Sequence, residues 1–158
     1  TDVPSLVNPT EIKSGWAHHC AKDDRGIICW GFNGNNETDS ILDSDWPGKL
    51  INFDLGSYFG CFIKDSDSNN ILNCWGTTAD GRIFEPTLVN PTEVSVGDKH
   101  MCVIDDASLK CWGDENEFGV NAVPSGLTFT KLITNQVVEA PSSNSSSKLF
   151  IYCNKTIQ

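Results

Sequence analysis

Basic residues are scarce in this chain: 11 lysines and arginines stand against 21 acidic residues, for a net charge of −10 over 158 residues. That balance excludes partners that are themselves polyanions. A nucleic-acid binder needs a cationic stripe to release counterions, and adsorption to anionic lipid needs the same. The negative charge serves instead to keep a β-rich protein soluble. No apolar run reaches eighteen residues, so no segment is written to span a bilayer as a helix. No Cys-x-x-Cys pair occurs, which removes the usual zinc knuckle. The chain opens on Thr1 with no basic-then-apolar leader, as expected of a processed or trimmed form. Only three histidines are present, and no Ser/His/Asp or Cys/His arrangement emerges around them. The expectation is a protein that is not an enzyme and needs no cofactor or metal.

What is present is a pattern written three times. Gly15…Cys20…Cys29-Trp30-Gly31, Gly56…Cys61…Cys74-Trp75-Gly76 and Gly97…Cys102…Cys111-Trp112-Gly113 share one layout, and their first glycines stand 41 residues apart. A fixed period of this size is the signature of a repeat architecture. Two copies share a lead-in as well, Leu6-Val-Asn-Pro-Thr-Glu-Ile12 and Leu88-Val-Asn-Pro-Thr-Glu-Val94. A degenerate fourth copy follows when the last stretch is laid on the second repeat. Cys153 then falls on Cys74, Asn135 on Gly56 and Ala140 on Cys61, which accounts for a cysteine count of seven. The chain therefore reads as one domain, 1–158, with repeats at about 6–46, 47–87 and 88–126 and a degenerate fourth at 127–158.

Each cysteine pair brackets a polar turn: Lys22–Gly26, Asp65–Asn70 and Asp105–Ser108, with apolar residues on the cysteine side. This is the grammar of a β-hairpin. Cysteines facing each other at a non-hydrogen-bonded pair have the short Cβ separation that a disulfide requires. The expected bridges are Cys20–Cys29, Cys61–Cys74 and Cys102–Cys111, and they imply an oxidising, extracellular compartment. A chelate of His18 with Cys20, or of His100 with Cys102, stays open on strand geometry, but the second repeat has Phe59 there and does without one. Cys153 has no partner in register; a buried thiol and an intermolecular bridge are both open to it. Sequons at Asn36, Asn144 and Asn154 are candidate N-glycosylation sites in a eukaryotic secretory pathway.

Asp65-Ser-Asp-Ser-Asn69 alternates like a calcium loop but lacks the glycine and bidentate glutamate such a loop needs, and so reads as a solvated turn. Asp23-Asp24 and Asp105-Asp106 read the same way. Trp30, Trp75 and Trp112 recur with the period and are expected to pack blade on blade, whereas Trp16 and Trp46 do not recur and are candidate partner contacts.

The repeat Gly-x-x-His-x-Cys, hairpin, Cys-Trp-Gly resembles that of the regulator of chromosome condensation family of β-propellers, in its extracellular, disulfide-containing branch. Gly15, His18, Cys20, Cys29, Trp30 and Gly31 carry the resemblance, as do Gly97, His100, Cys102, Cys111, Trp112 and Gly113. It implies an all-β fold of about four antiparallel blades with intrablade disulfides, and histidines that bond backbone between blades. Family members usually close rings of seven blades, so this chain is expected to form a short or incomplete propeller. Open blades leave apolar faces and strand edges. The expectation is therefore an extracellular structural or adhesive protein that self-associates into a larger assembly or filament. The alternative is a monomeric module whose rim binds or inhibits another protein, with a protein or glycan as partner. Residues 141–148 form a Ser-rich tether before Leu149, Phe150, Ile151 and Tyr152, a strand that either closes the hairpin of its own degenerate blade, as the spacing of the second repeat suggests, or is donated to another copy.

Overall fold

The computed structural model describes residues 2–44, 48–66, 69–77 and 86–113. The fourth repeat, Trp46, Asn144, Leu149 to Tyr152, Cys153 and Asn154 lie outside the described residues. The described residues are all-β. Ten strands form three antiparallel meanders, each in chain order: β1 (Glu11–Ser14), β2 (His18–Asp23), β3 (Gly26–Gly31) and β4 (Ile41–Leu42); β5 (Leu50–Leu55), β6 (Phe59–Ser66) and β7 (Asn69–Gly76); β8 (Pro91–Val96), β9 (His100–Asp105) and β10 (Ser108–Gly113). Each copy of the repeat builds one sheet, hereafter a blade.

Strand alternation gives each blade two faces, and the blades stack face to face. Cys20, Ile27 and Cys29 of the first blade pack on Leu50, Phe53, Leu55, Phe62 and Trp75 of the second. The opposite face of the second blade, with Phe59, Cys61, Ile63 and Leu72, packs on Val94, Val96, Met101 and Val103 of the third. The core is thus a series of interfaces between blades, each supplied by neighbouring repeats. Backbone donors on β8 are also satisfied across an interface: Val94 N–H donates to Asn52 Oδ1 at 2.9 Å and Val96 N–H to Asp54 Oδ2 at 2.8 Å.

The cysteines face each other in register, Cys20 with Cys29, Cys61 with Cys74 and Cys102 with Cys111. All three pairs are bridged, with Cα atoms 4.1, 4.0 and 4.1 Å apart. Such separations belong to non-hydrogen-bonded antiparallel pairs. The first and third hairpins are tighter than their polar stretches suggest. β9 and β10 are joined by Asp106 and Ala107 alone, with φ of 48° and 60°. Positive φ at both positions is the two-residue turn whose twist matches the flanking strands.

The first glycine of the repeat marks where blades come closest. Its N–H donates to the carbonyl three residues on, to His18, Phe59 and His100 in turn, each at 2.8 Å. A Cβ on Gly15 would stand 2.5 Å from the Gly56 carbonyl oxygen, and one on Gly56 would stand 2.3 Å from that of Gly97. No side chain fits there, which is the physical reason for the 41-residue glycine period.

Two of the aspartates read as solvated turns are not. Asp23 and Asp105 are buried, at 6% and 2% exposure. Asp105 accepts the Val89 and Asn90 N–H groups at 2.9 and 2.7 Å, and Lys110 Nζ donates to it at 2.7 Å. Asp23 accepts the Val7 N–H at 3.0 Å and is bound by Arg25, whose Nη2 lies 2.6 Å away. Each carboxylate clamps the start of the repeated Leu-Val-Asn-Pro-Thr-Glu lead-in. The second blade has neither the lead-in nor the aspartate; Lys64 stands there, bonded to Asp43 at 2.8 Å.

Hydrogen bonding and charge from Arg25, with the backbone N–H bonds, hold the Asp23 carboxyl at about 2. Burial pushes Asp105 up, but Lys110 and the two backbone N–H groups outweigh it and hold the carboxyl below the usual carboxylate range. Groups with depressed folded values stabilise the fold above their unfolded value of about 3.9, and that stabilisation is lost as pH falls through the folded value. The melting temperature is therefore expected to fall steeply below about pH 4. Asp105→Asn should lower it at pH 7 and flatten the acid limb; thermal melts between pH 7 and pH 2 read both, and an unchanged limb would refute the clamp.

Candidate interaction surface

The faces that pack in the second and third blades identify the face that lacks a neighbour in the first. On β1, Ile12 and Ser14 stand opposite Ala21 and His19 of β2, which pair in turn with Ile28 and Trp30 of β3. The matching positions on β5 and β8, one and two periods on, are Phe53 with Leu55 and Val94 with Val96, all buried against the preceding blade. Ile12 is instead 63% exposed, against 0% for Phe53 and 3% for Val94. No blade covers this face among the described residues. Trp30 is a partial exception to the expectation of blade packing. Trp75 is buried in the first interface and Trp112 packs at the second, but Trp30 lies beside His19, with ring centroids 5.7 Å apart. His19 Nδ1 is 3.0 Å from Ser14 Oγ. Ala21 and Ile28 on this face are themselves buried, at 1% and 8% exposure, so its open part is Ile12 with Ser14, beside the half-buried His19 and Trp30.

At the β1–β2 hairpin end, Trp16 is 70% exposed and its ring lies 5.5 Å from that of Tyr58 on the equivalent loop of the second blade. Phe32, 52% exposed, is held at the same end by its N–H bond to the Ala17 carbonyl at 2.8 Å. An exposed aromatic group thus lies across the junction of the first two blades.

His18 and His100 are buried, with their rings packed beneath Gly15 and Gly97. Sequence reading missed Glu37, a carboxylate buried in the loop after β3. Its oxygens accept the Asn35 N–H at 2.7 Å and side-chain amide at 2.8 Å, and its carbonyl accepts the Trp75 indole N–H at 3.0 Å. Burial pushes this carboxyl up, but the Asn35 bonds and the nearby His18 outweigh it and hold it below the usual range. No periodic signal marks Glu37, because its partners come from its own loop and from the next blade. Cys20 and Cys102 are spent in disulfides, so neither histidine has a thiolate with which to chelate. Among the described residues no three His, Cys, Asp or Glu side chains are grouped to hold a metal ion. No helix among them is long and apolar enough to cross a membrane, which bears on helical spans alone.

Comparison with solved structures places the fold among β-propellers. The entire ectodomain of the receptor kinase CR4 from Physcomitrella patens superposes with a TM-score of 0.63 and 26% identity, over 82% of this chain and 37% of that one. The CRINKLY WD40 ectodomain of the Arabidopsis thaliana receptor kinase ACR4 gives 0.56 and 24%, over 79% and 42%. Prp20p from Saccharomyces cerevisiae, at 16% identity and a TM-score of 0.58, covers 78% of this chain and 34% of that one and supports the fold alone. The chain therefore spans only about two-fifths of the length of the receptor ectodomains it matches. No family model matches the sequence, and no curated protein does.

Proposed function

We propose that this protein is a non-enzymatic extracellular module, structural or adhesive, that self-associates by docking the open face of its first blade on a blade of another copy. One observation carries the reading: Ile12 is exposed at the position where each following blade buries an apolar residue against its neighbour. Three disulfides and the likeness to receptor ectodomains support the extracellular setting. A face-to-face contact that does not return on itself propagates, so the assembly is a ring when the rotation closes and a filament when it does not. The Leu149–Tyr152 segment is a second element that such an assembly could exchange between copies.

Sedimentation velocity over a hundredfold concentration range tests this. The expected result is mass growing with concentration, and association at least about tenfold weaker in Ile12→Asp, since the side chain is worth about 1.5–3 kcal/mol on burial. The residue is exposed in the single chain, so this substitution leaves folding intact. A monomer at every concentration would overturn self-association.

A monomeric result would favour a binding module, and a groove of about 370 Å³ gives that second reading a location. The groove lies between the tip of the second blade and the lead-in to the third. Ser66, Asn69, Asn70, Leu72 and Leu88 are among the uncharged residues that line it, an amide-and-apolar surface suited to a neutral ligand segment.

A further inference from the structure

The loop after β3 holds one of the three sequons, Asn36-Glu37-Thr38, and its geometry separates the middle residue from the first. Glu37 turns inward: its carboxylate is buried and tied to Asn35, and its carbonyl takes the Trp75 indole N–H of the second blade. Asn36 turns outward. It is exposed and sits at φ 66°, a left-handed conformation that asparagine adopts more readily than most residues. Its carbonyl faces the Asp39 N–H at 3.5 Å, and no hydrogen bond from its side-chain amide is found among the described residues. Thr38 is held by its N–H bond to Asn33 Oδ1 at 3.0 Å, which keeps the triplet in a closed turn.

We infer that Asn36 is a site of N-linked glycosylation, and that the glycan stands on the rim over the junction of the first and second blades. Among the described residues no hydrogen bond uses the amide nitrogen and the residue is exposed, so its substitution breaks none of the contacts described above. The position also leaves the open face clear. Glu37 approaches the second blade through Trp75 and adjoins His18, whereas the open face looks the other way, with Ile12, His19 and Trp30. The modification is a group transfer from a lipid-linked oligosaccharide diphosphate. The amide nitrogen attacks the anomeric carbon and a C–N bond forms; the bond from that carbon to the phosphate oxygen breaks, the lipid diphosphate leaves and the amide proton is released. No oxidant or reductant takes part. The inference rests on the extracellular reading above.

The test is secretion of the full chain from a eukaryotic cell line, followed by peptide mass spectrometry before and after enzymatic removal of N-glycans. The expected result is a glycan on the Asn36 peptide, lost in Asn36→Gln and equally in Thr38→Ala, which leaves the asparagine in place. Thr38→Ala, which keeps asparagine at the left-handed position, separates loss of the glycan from the backbone cost that glutamine carries at φ 66°. Secreted, disulfide-bonded protein whose Asn36 peptide is unmodified overturns the site, and the wild-type chain alone decides this. Sedimentation on the same material reads self-association independently: glycosylated monomer overturns assembly and keeps the site, while unglycosylated oligomer does the reverse.

Discussion

Reduction of the three disulfides is expected to unfold this protein at room temperature. The bridges join cysteines 9, 13 and 9 residues apart, and for loops of this size the constraint on the unfolded chain is worth about 2.5–3 kcal/mol each. Three together remove roughly 8 kcal/mol, which lies within the whole stability of about 5–15 kcal/mol typical of a native domain. The bridges lie inside hairpins, so as crosslinks they tie strands that are already neighbours and join no two blades. The released thiols stay where the sulfurs were, with Cys20 and Cys29 at the first interface and Cys61 at the second, and there a thiol packs as a small apolar group. The loss is therefore close to the chain-entropy figure, with little added for packing. Urea titration followed by circular dichroism, with and without reductant, reads the effect. A paired Cys102→Ala, Cys111→Ala variant should lose about 3 kcal/mol by itself. An unchanged midpoint on full reduction would show that interblade packing alone holds the fold.

Gly56→Ala is expected to cost about 3 kcal/mol, a large effect for one methyl group. The added carbon would stand 2.3 Å from the Gly97 carbonyl oxygen and 2.9 Å from both the Phe59 ring and Val96 Cγ1. The first of these contacts is backbone of the next blade, so relief requires moving the third blade away from the second. That opens the interface formed by Phe59, Ile63, Val94 and Val103. The neighbouring Ser57→Ala, on the same loop, should change stability by less than about 0.5 kcal/mol. Comparing denaturation midpoints of the two variants isolates the close approach from loop effects. Equal midpoints would mean that the blades tolerate a wider spacing than the structure shows.

Much of the fold was legible in the chain because a repeat writes its constraints more than once. The glycine period, the paired cysteines and the recurring tryptophans each mark a position that every blade must fill alike, and the hairpin spacing placed cysteine opposite cysteine. The aspartates were misread because their partners lie sixteen residues away: Val7 N–H for Asp23 and Val89 N–H for Asp105. Read locally, Asp-Asp before a turn looks solvated. The shared lead-in was the available signal, since the two repeats that carry it are the two that carry the aspartate, while the second has Lys64 instead. Glu37 gave no such signal, because an inward carboxylate in an irregular loop has neither period nor alternation.

The amino-acid sequence by itself determined the architecture: all-β, three good copies of one hairpin-centred unit, sulfurs paired within each. Composition and period suffice for this, because alternation fixes which side chains share a face and a fixed spacing fixes what recurs. Only the tertiary structure decided which of the two faces each blade turns to which neighbour. Glu11-Ile-Lys-Ser14 alternates like any half-buried strand, and nothing in those four residues says that Ile12 is the apolar residue left uncovered. Burial is a property of what lies opposite, and for this residue the neighbour is another repeat, so its state was fixed by the stacking of blades.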